Sequence, residues 1–127
     1  MTILKSIKTE KAPGAIGPYS QGMQVGDLIF VSGQIPVDPG TGNIVDGDIE
    51  KQTAQVFRNI AAVLEESGSS LSKVVKTTVY LADLASFGEM NRVYAESFGD
   101  HRPARATVEV GLPVGVSIEV DAIAVPG

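Results

Sequence analysis

The sequence predicts an α+β domain in the order β-β-α-β-α-β-β, a mixed sheet with two helices on one face. Two stretches repeat apolar residues at helical spacing, each between a capping residue and a glycine. The other ordered stretches are β-branched runs bounded by turn-forming residues. A length of 127 residues, with no repeat, linker or low-complexity tract, fits one domain spanning 1–127 and one core.

Met23–Ser32 reads as a hairpin whose two-residue turn is Gly26-Asp27, the Gly-first type that matches strand twist. Gln34–Asn43, dense in Pro, Gly, Asp and Asn, is a loop. Ile49, Thr53, Val56, Ile60 and Val63/Leu64 mark a helix to about Ser67, with Asp48 as N-cap and Gly68 at C′. Val74–Leu81 is nearly continuous in β-formers, a buried strand. Ser86 with Glu89 has the pattern of a capping box, opening a second helix. Phe87, Met90, Val93/Tyr94 and Phe98 form its apolar stripe, which ends at Gly99. Arg105–Gly111 and Val116–Val125 flank a Leu-Pro-Val-Gly break and read as two antiparallel strands. A turn centred on Leu112 sets Arg105 opposite Glu119, on one face with Thr107 and Ser117. That pair fits either the floor of a polar pocket or an ordinary cross-strand ion pair worth about 0.2–1 kcal/mol.

The last strand is apolar on both sides. Ile118, Val120, Ala122 and Ala124 share one face, while Ile123 and Val125 share the other with Glu119 and Asp121. Two helices cover only one face, so the second is expected to be buried against other copies of the chain in a closed cyclic oligomer.

Composition narrows the function. A net charge of −5 offers no basic footprint for nucleic acid or an anionic membrane. No apolar run approaches the ~20 residues that span a bilayer, and the N-terminus lacks a signal-peptide core, so a cytoplasmic location is expected. With no cysteine there is no disulfide, thiol nucleophile or thiolate metal site. The single histidine, His101, argues against a catalytic zinc and limits any Ser-His relay to that one loop residue. No glycine pattern forms a nucleotide cradle. No metal and no organic cofactor is expected.

Several positions break local rules. Asn91 sits inside a helix, where its amide competes with backbone bonding; it is either an exposed polar residue or a placed ligand. Tyr19 lies in the rigid Gly17-Pro-Tyr-Ser turn, as a packed ring with a wet hydroxyl or as a pocket wall. Ser32-Gly33 ends a strand, where a glycine either terminates it or lets a ligand approach backbone N–H groups. Thr107 is a β-branched strand residue on the face assigned to Arg105.

The segments Ala15–Gln21, Phe30–Pro36, Val75–Leu84, Phe87 with Asn91 and Tyr94, Arg102–Arg105 and Ile118–Ala124 occur in register. Together they resemble the RidA (YjgF) family, the reactive-intermediate deaminases, over nearly the whole chain. The resemblance implies a chorismate-mutase-like protomer and a homotrimer with three intersubunit pockets. It implies that Arg105 binds a substrate carboxylate, that Glu119 orients a water, and that Tyr19, Ser32, Gly33, Asn91 and Thr107 line the pocket. Thr107 stands where many bacterial members carry cysteine, so backbone N–H contacts can persist while cysteine-directed regulation cannot apply. The implied reaction is hydrolysis of 2-imino or enamine acids to 2-oxo acids and ammonia. The alternative is a trimeric module that binds 2-oxo or short-chain carboxylates, or a regulatory partner, without turnover. An endoribonuclease role, attached to some relatives, conflicts with the acidic charge and with the lack of an aromatic-basic stripe.

Overall fold

The computed structural model describes residues 2–127. Strands β1 (Leu4–Ile7), β2 (Gly22–Val25) and β3 (Leu28–Gln34) precede helix α1 (Ile49–Glu66). Strand β4 (Val74–Leu81), helix α2 (Phe87–Phe98), strand β5 (Ala104–Glu109) and strand β6 (Ile118–Ala124) follow. The sheet has six strands in the order β1-β2-β3-β6-β4-β5. The α+β class and the two helices are as expected, with β1 as an additional strand. Its four residues, Leu-Lys-Ser-Ile, are too few to show a period, and pairing with β2 from Leu4↔Val25 to Ile7↔Gly22 fixes it.

Local chemistry sets the element ends. Asp48 accepts from the Lys51 N–H (3.0 Å) to cap α1, and Gly68 takes a left-handed φ of 79° just beyond its end. Gly26, with φ 56°, makes the tight turn between β2 and β3, whose register Val25↔Leu28 leaves two residues in the turn. The capping box expected at α2 does not form. Ser86 ends a 3-10 turn over Leu84–Ser86 that Asp83 caps through the Ala85 N–H, so the Ser86 hydroxyl makes no capping bond. Phe87 is 38% exposed, while Met90, Val93, Tyr94 and Phe98 form the buried stripe.

The larger departure concerns the last two strands, which do not pair with each other. β5 runs parallel to β4, from Lys76↔Ala104 to Leu81↔Glu109. β6 lies antiparallel between β3 and β4. The cause is connectivity: β4, α2 and β5 form a strand–helix–strand crossover, which returns the chain in the direction it started. The loop 110–117, with Gly115 at φ 85°, then carries the chain back across β4 instead of closing a hairpin.

Alternation defines the two faces. Thr77, Val79 and Leu81 of β4 and Ile118, Val120, Ala122 and Ala124 of β6 are buried beneath the helices. They meet Val56, Ile60, Val63 and Leu64 of α1 and Met90, Tyr94 and Phe98 of α2. A cluster of edge-to-face and tilted rings, Phe57–Tyr94 (5.3 Å), Phe57–Phe98 (5.2 Å) and Tyr94–Phe98 (4.9 Å), joins the helices. Among the described residues no helix covers the other face, where Leu4, Leu28, Phe30 and Val108 are exposed. An uncovered apolar sheet face of this kind marks an interaction surface.

Buried polar residues hold the loops. Asn59, fully buried on α1, donates to the carbonyls of Ile35 (3.2 Å) and Val37 (3.0 Å) and accepts from Gln55 (2.9 Å). Gln52 similarly donates to Val45 and Gly115 and accepts from the Ser117 N–H. Asn59→Ala leaves two carbonyls without that donor and opens a cavity. Urea unfolding of this variant is expected to show a loss of about 2–4 kcal/mol with the fold retained; a loss under ~0.5 kcal/mol would mean that water replaces the amide.

Candidate functional site

The corrected topology changes the relation between Arg105 and Glu119. Arg105 is beside Thr77 and Glu119 is beside Tyr80, with β4 separating their strands. Two strand spacings and three residues of rise put their backbones roughly 14 Å apart. Thr77 faces the helices, bonding Tyr94 Oη through its hydroxyl (2.7 Å), so its neighbour Arg105 faces that side too. Glu119 alternates with the buried Ile118 and Val120 and therefore faces the uncovered side. They neither pair nor share a face, so Arg105 does not stand opposite Glu119 as the sequence suggests.

Each residue instead anchors its own cluster. At the free edge of the sheet, Arg105 donates from Nη1 to Asn91 Oδ1 (2.7 Å). Its guanidinium lies 4.7 Å from the centre of the Tyr94 ring and 5.4 Å from that of Phe87. Those rings belong to α2, and Tyr94 is fixed in turn by the aromatic cluster. The helix thus orients the cation through stacking and one amide, leaving further N–H donors of the fork for a planar anion. Asn91 is explained as that amide.

Thr107 lies two residues along on the same face, beside Val79. Its Oγ1 is buried and has no hydrogen-bond partner. The Val110 N–H donates to Leu81 O (2.9 Å), and strand alternation then turns the N–H groups of Arg105, Thr107 and Glu109 to the free edge. This first cluster therefore combines a cation, an unpartnered hydroxyl and open backbone donors.

The second cluster lies on the uncovered face. Tyr19, Ser32, Gly33, Ile35, Pro113 and Glu119 line an open cavity of roughly 460 Å³. A Cβ on Gly33 would collide with the Glu119 carboxylate, so the glycine gives room to that side chain. Ser32 sits where the β3–β6 register shifts. Its hydroxyl donates to Ser20 O (2.5 Å) and its N–H to Gln21 O (3.0 Å), tying β3 to the segment that carries Tyr19. Tyr19, half exposed, accepts from the Ile16 N–H at 3.4 Å. Burial raises the pKa of Glu119, and the like charge of Asp121 on the same strand face adds to the rise. Tyr80 and Asp121, which sequence reasoning did not select, are joined beside it by a hydrogen bond from the phenol to Oδ2 (2.8 Å). Period-two alternation from Glu119 was the signal that could have found Asp121.

His101 contacts Val74 O through Nε2 (2.6 Å) and packs edge-on to Phe98, which accounts for it structurally. Among the described residues, no group of three or more His, Cys, Asp and Glu side chains converges as a metal site. No helix among them is long and apolar enough to cross a membrane.

Residues 9–126 match the family model described as endoribonuclease L-PSP. A RutC family protein of Pyrococcus abyssi is 61% identical over 119 residues, covering 93% of this chain and 94% of its own. The 2-iminobutanoate/2-iminopropanoate deaminase of Mus musculus is 45% identical over 126 residues, covering 98% of this chain and 93% of its own. Among solved structures, E. coli TdcF with bound serine superposes with a TM-score of 0.91 at 42% identity, covering 97% of this chain and 99% of that one.

The Glu119 carboxyl gives a stability test. Its folded pKa is raised, so the ionised form is disfavoured in the native state relative to the unfolded one. The resulting penalty is absent well below the ordinary value of 4.5 and develops as pH rises through the folded value. Glu119→Gln is therefore expected to unfold at higher urea than wild type near neutral pH. Well below pH 4.5 the two midpoints are expected to coincide; an equal gain at both would assign the effect to packing.

Proposed function

Because the chain belongs to the endoribonuclease L-PSP family, the family of YjgF, RidA and RutC proteins, we propose that it hydrolyses reactive 2-imino acids. Substrates of the type of 2-iminobutanoate, or the enamine 2-aminoacrylate after tautomerisation, become 2-oxo acids and ammonia. The observation that carries this reading is the division of complementary groups between two clusters that one chain cannot join. A carboxylate clamp stands at the β5 edge, and a half-buried carboxylate with raised proton affinity stands on the uncovered face. We place them together in the clefts of a homotrimer, where the β5 edge of one copy meets the Glu119 cavity of the next. The exposed apolar residues of the uncovered face supply a reason for association.

In this cleft the Arg105 fork takes the substrate carboxylate, and the free N–H groups of the β5 edge add donors. Asn91 and Tyr94 hold the guanidinium still, so little side-chain freedom is lost on binding. The imine carbon then lies toward Glu119. A water held by that carboxylate adds to the carbon as Glu119 takes its proton, and the proton passes to the imine nitrogen to give a carbinolamine. Glu119 next takes the hydroxyl proton while the C–N bond breaks, and it returns the proton to the departing nitrogen. The balance is one imino acid and one water consumed, one 2-oxo acid and one ammonia formed. A carboxylate whose pKa is raised toward the working range suits both transfers. The imine is already reactive, so positioning and electrostatics suffice for a modest acceleration.

A non-catalytic reading draws on the structure of E. coli TdcF with bound serine, an amino acid rather than an imine. The same clamp could hold a small carboxylic acid in this chain without turnover. RNA cleavage draws no support from a chain of net charge −5.

The test follows 2-oxobutanoate formation from 2-iminobutanoate generated in situ by an amino-acid oxidase. Arg105→Ala is expected to lower kcat/KM roughly a hundredfold, as expected for loss of a ~3 kcal/mol charge-assisted contact. Glu119→Gln is expected to keep binding of a 2-oxo acid while turnover falls to background. Background rates in wild type would leave the binding module as the function, and equal rates in wild type and Arg105→Ala would remove the arginine from the site.

A further inference from the structure

Beside Glu119, the uncovered face carries polar residues that the reaction just described does not use. On β6, Glu119 and Asp121 are two residues apart on that face, and Ile123 follows. On β4, Tyr80 pairs with Glu119, Thr78 with Asp121 and Lys76 with Ile123, so all six side chains lie on one surface. The contacts run diagonally. Tyr80, in the Glu119 row, donates across to Asp121 Oδ2 (2.8 Å), and Lys76 Nζ leans toward the Asp121 row to donate to Thr78 Oγ1 (3.2 Å). One oxygen of Asp121 is thereby fixed, and its carboxylate is held next to Glu119.

We propose that Asp121, fixed by the Tyr80 phenol, is the positioning residue for Glu119, setting how readily that carboxylate takes and returns the proton of the attacking water. This rests on the hydrolase reading above. Three features support it. After burial, the like charge of Asp121 is what raises the pKa of Glu119. Its bond to Tyr80 shows in the opposite direction as well, since donating to Asp121 is the leading cause of a raised Tyr80 pKa. Among the described residues no other anion faces Glu119: β4 contributes Tyr80 and the more distant cation Lys76, β3 presents uncharged Ser32 and Gly33, β5 turns Ala104, Ala106 and Val108 to this side, and the 16–20 segment brings Tyr19. Asp121 never contacts the substrate. Its negative charge, about one same-face strand step (~7 Å) from Glu119, makes the bound proton cheaper to hold.

The test measures the acid limb of the kcat/KM profile and, separately, the Glu119 carboxyl titration by carbon NMR in the assembled protein. Asp121→Asn is expected to move both downward by about half a unit to one unit, as two carboxylates at that spacing dictate. Asp121→Glu, which keeps the charge, is expected to restore most of the shift. Tyr80→Phe changes a partly exposed side chain and serves if Asp121→Asn does not fold. Without the phenol, the Asp121 carboxylate is no longer held in place beside Glu119, so both measures are expected to fall by a smaller amount. Unchanged Glu119 titration in Asp121→Asn, or in Tyr80→Phe if only that variant folds, would overturn the proposal. Absence of turnover in wild type would instead count against the hydrolase reading, and the carboxyl titration would still decide whether Asp121 acts on Glu119.

Discussion

The strand β6 lies antiparallel between β3 and β4 and hydrogen-bonds to both, and the rest of the molecule is arranged around that insertion. It brings Ile118, Val120, Ala122 and Ala124 beneath α1 and α2, where they complete the core. It also presents Glu119 and Asp121 on the face that the helices leave bare. By occupying the centre of the sheet it leaves β5 as the outer edge, held on one side by β4 alone. Arg105 is therefore stationed where backbone donors remain free, and Glu119 where both neighbouring strands hold the backbone rigid. A hairpin between β5 and β6 would have paired the two side chains directly and neutralised both.

The uncovered face works against folding stability. A carboxylate half-buried beside another carboxylate, with a glycine opposite to make room, is a poor choice for stability. Gly33 gives up a side chain so that Glu119 can occupy the space above it. The compensation lies elsewhere: the aromatic cluster, the capped α1 and the fully satisfied Asn59 and Gln52 networks are all on the helix side. Rigid packing on one face supports an electrostatically strained arrangement on the other, a common division between scaffold and site.

Legibility in the sequence followed the range of the forces involved. Helix α1 was readable to within a residue, Glu66 against Ser67 at its end, because its cap, its 3.6-residue period and its C′ glycine are all local signals. The β2–β3 turn was readable for the same reason. Strand partnership was not, because pairing is decided between segments distant in the chain. The β-formers around Leu112 fit a hairpin as well as two strands separated by a crossing loop. The overlooked clue was order: a strand, a helix and a strand in succession favour parallel neighbours, which would have assigned β5 to β4. The resemblance named Arg105, Asn91, Thr107, Gly33 and Glu119 without their geometry. It could not reveal that they divide into two clusters, nor that Tyr80 and Asp121 stand behind one of them.

The isolated chain is incomplete in three ways. Thr107 Oγ1 is buried without a partner, a deficit of about 1–3 kcal/mol if nothing supplies one. The N–H groups of the β5 edge have no strand beyond them. Leu4, Leu28, Phe30 and Val108 present apolar surface to water. A second copy seated on the uncovered face would bury the apolar residues and bring a Glu119 cavity toward a β5 edge. A carboxylate bound there would meet the edge N–H groups, and its acceptors or those of the neighbouring chain would be in reach of the threonine hydroxyl. Assembly and ligand binding then relieve different parts of one deficit. The chain is acidic overall, yet the Arg105 guanidinium at this edge is already stacked and hydrogen-bonded, the preorganisation that an anion site needs.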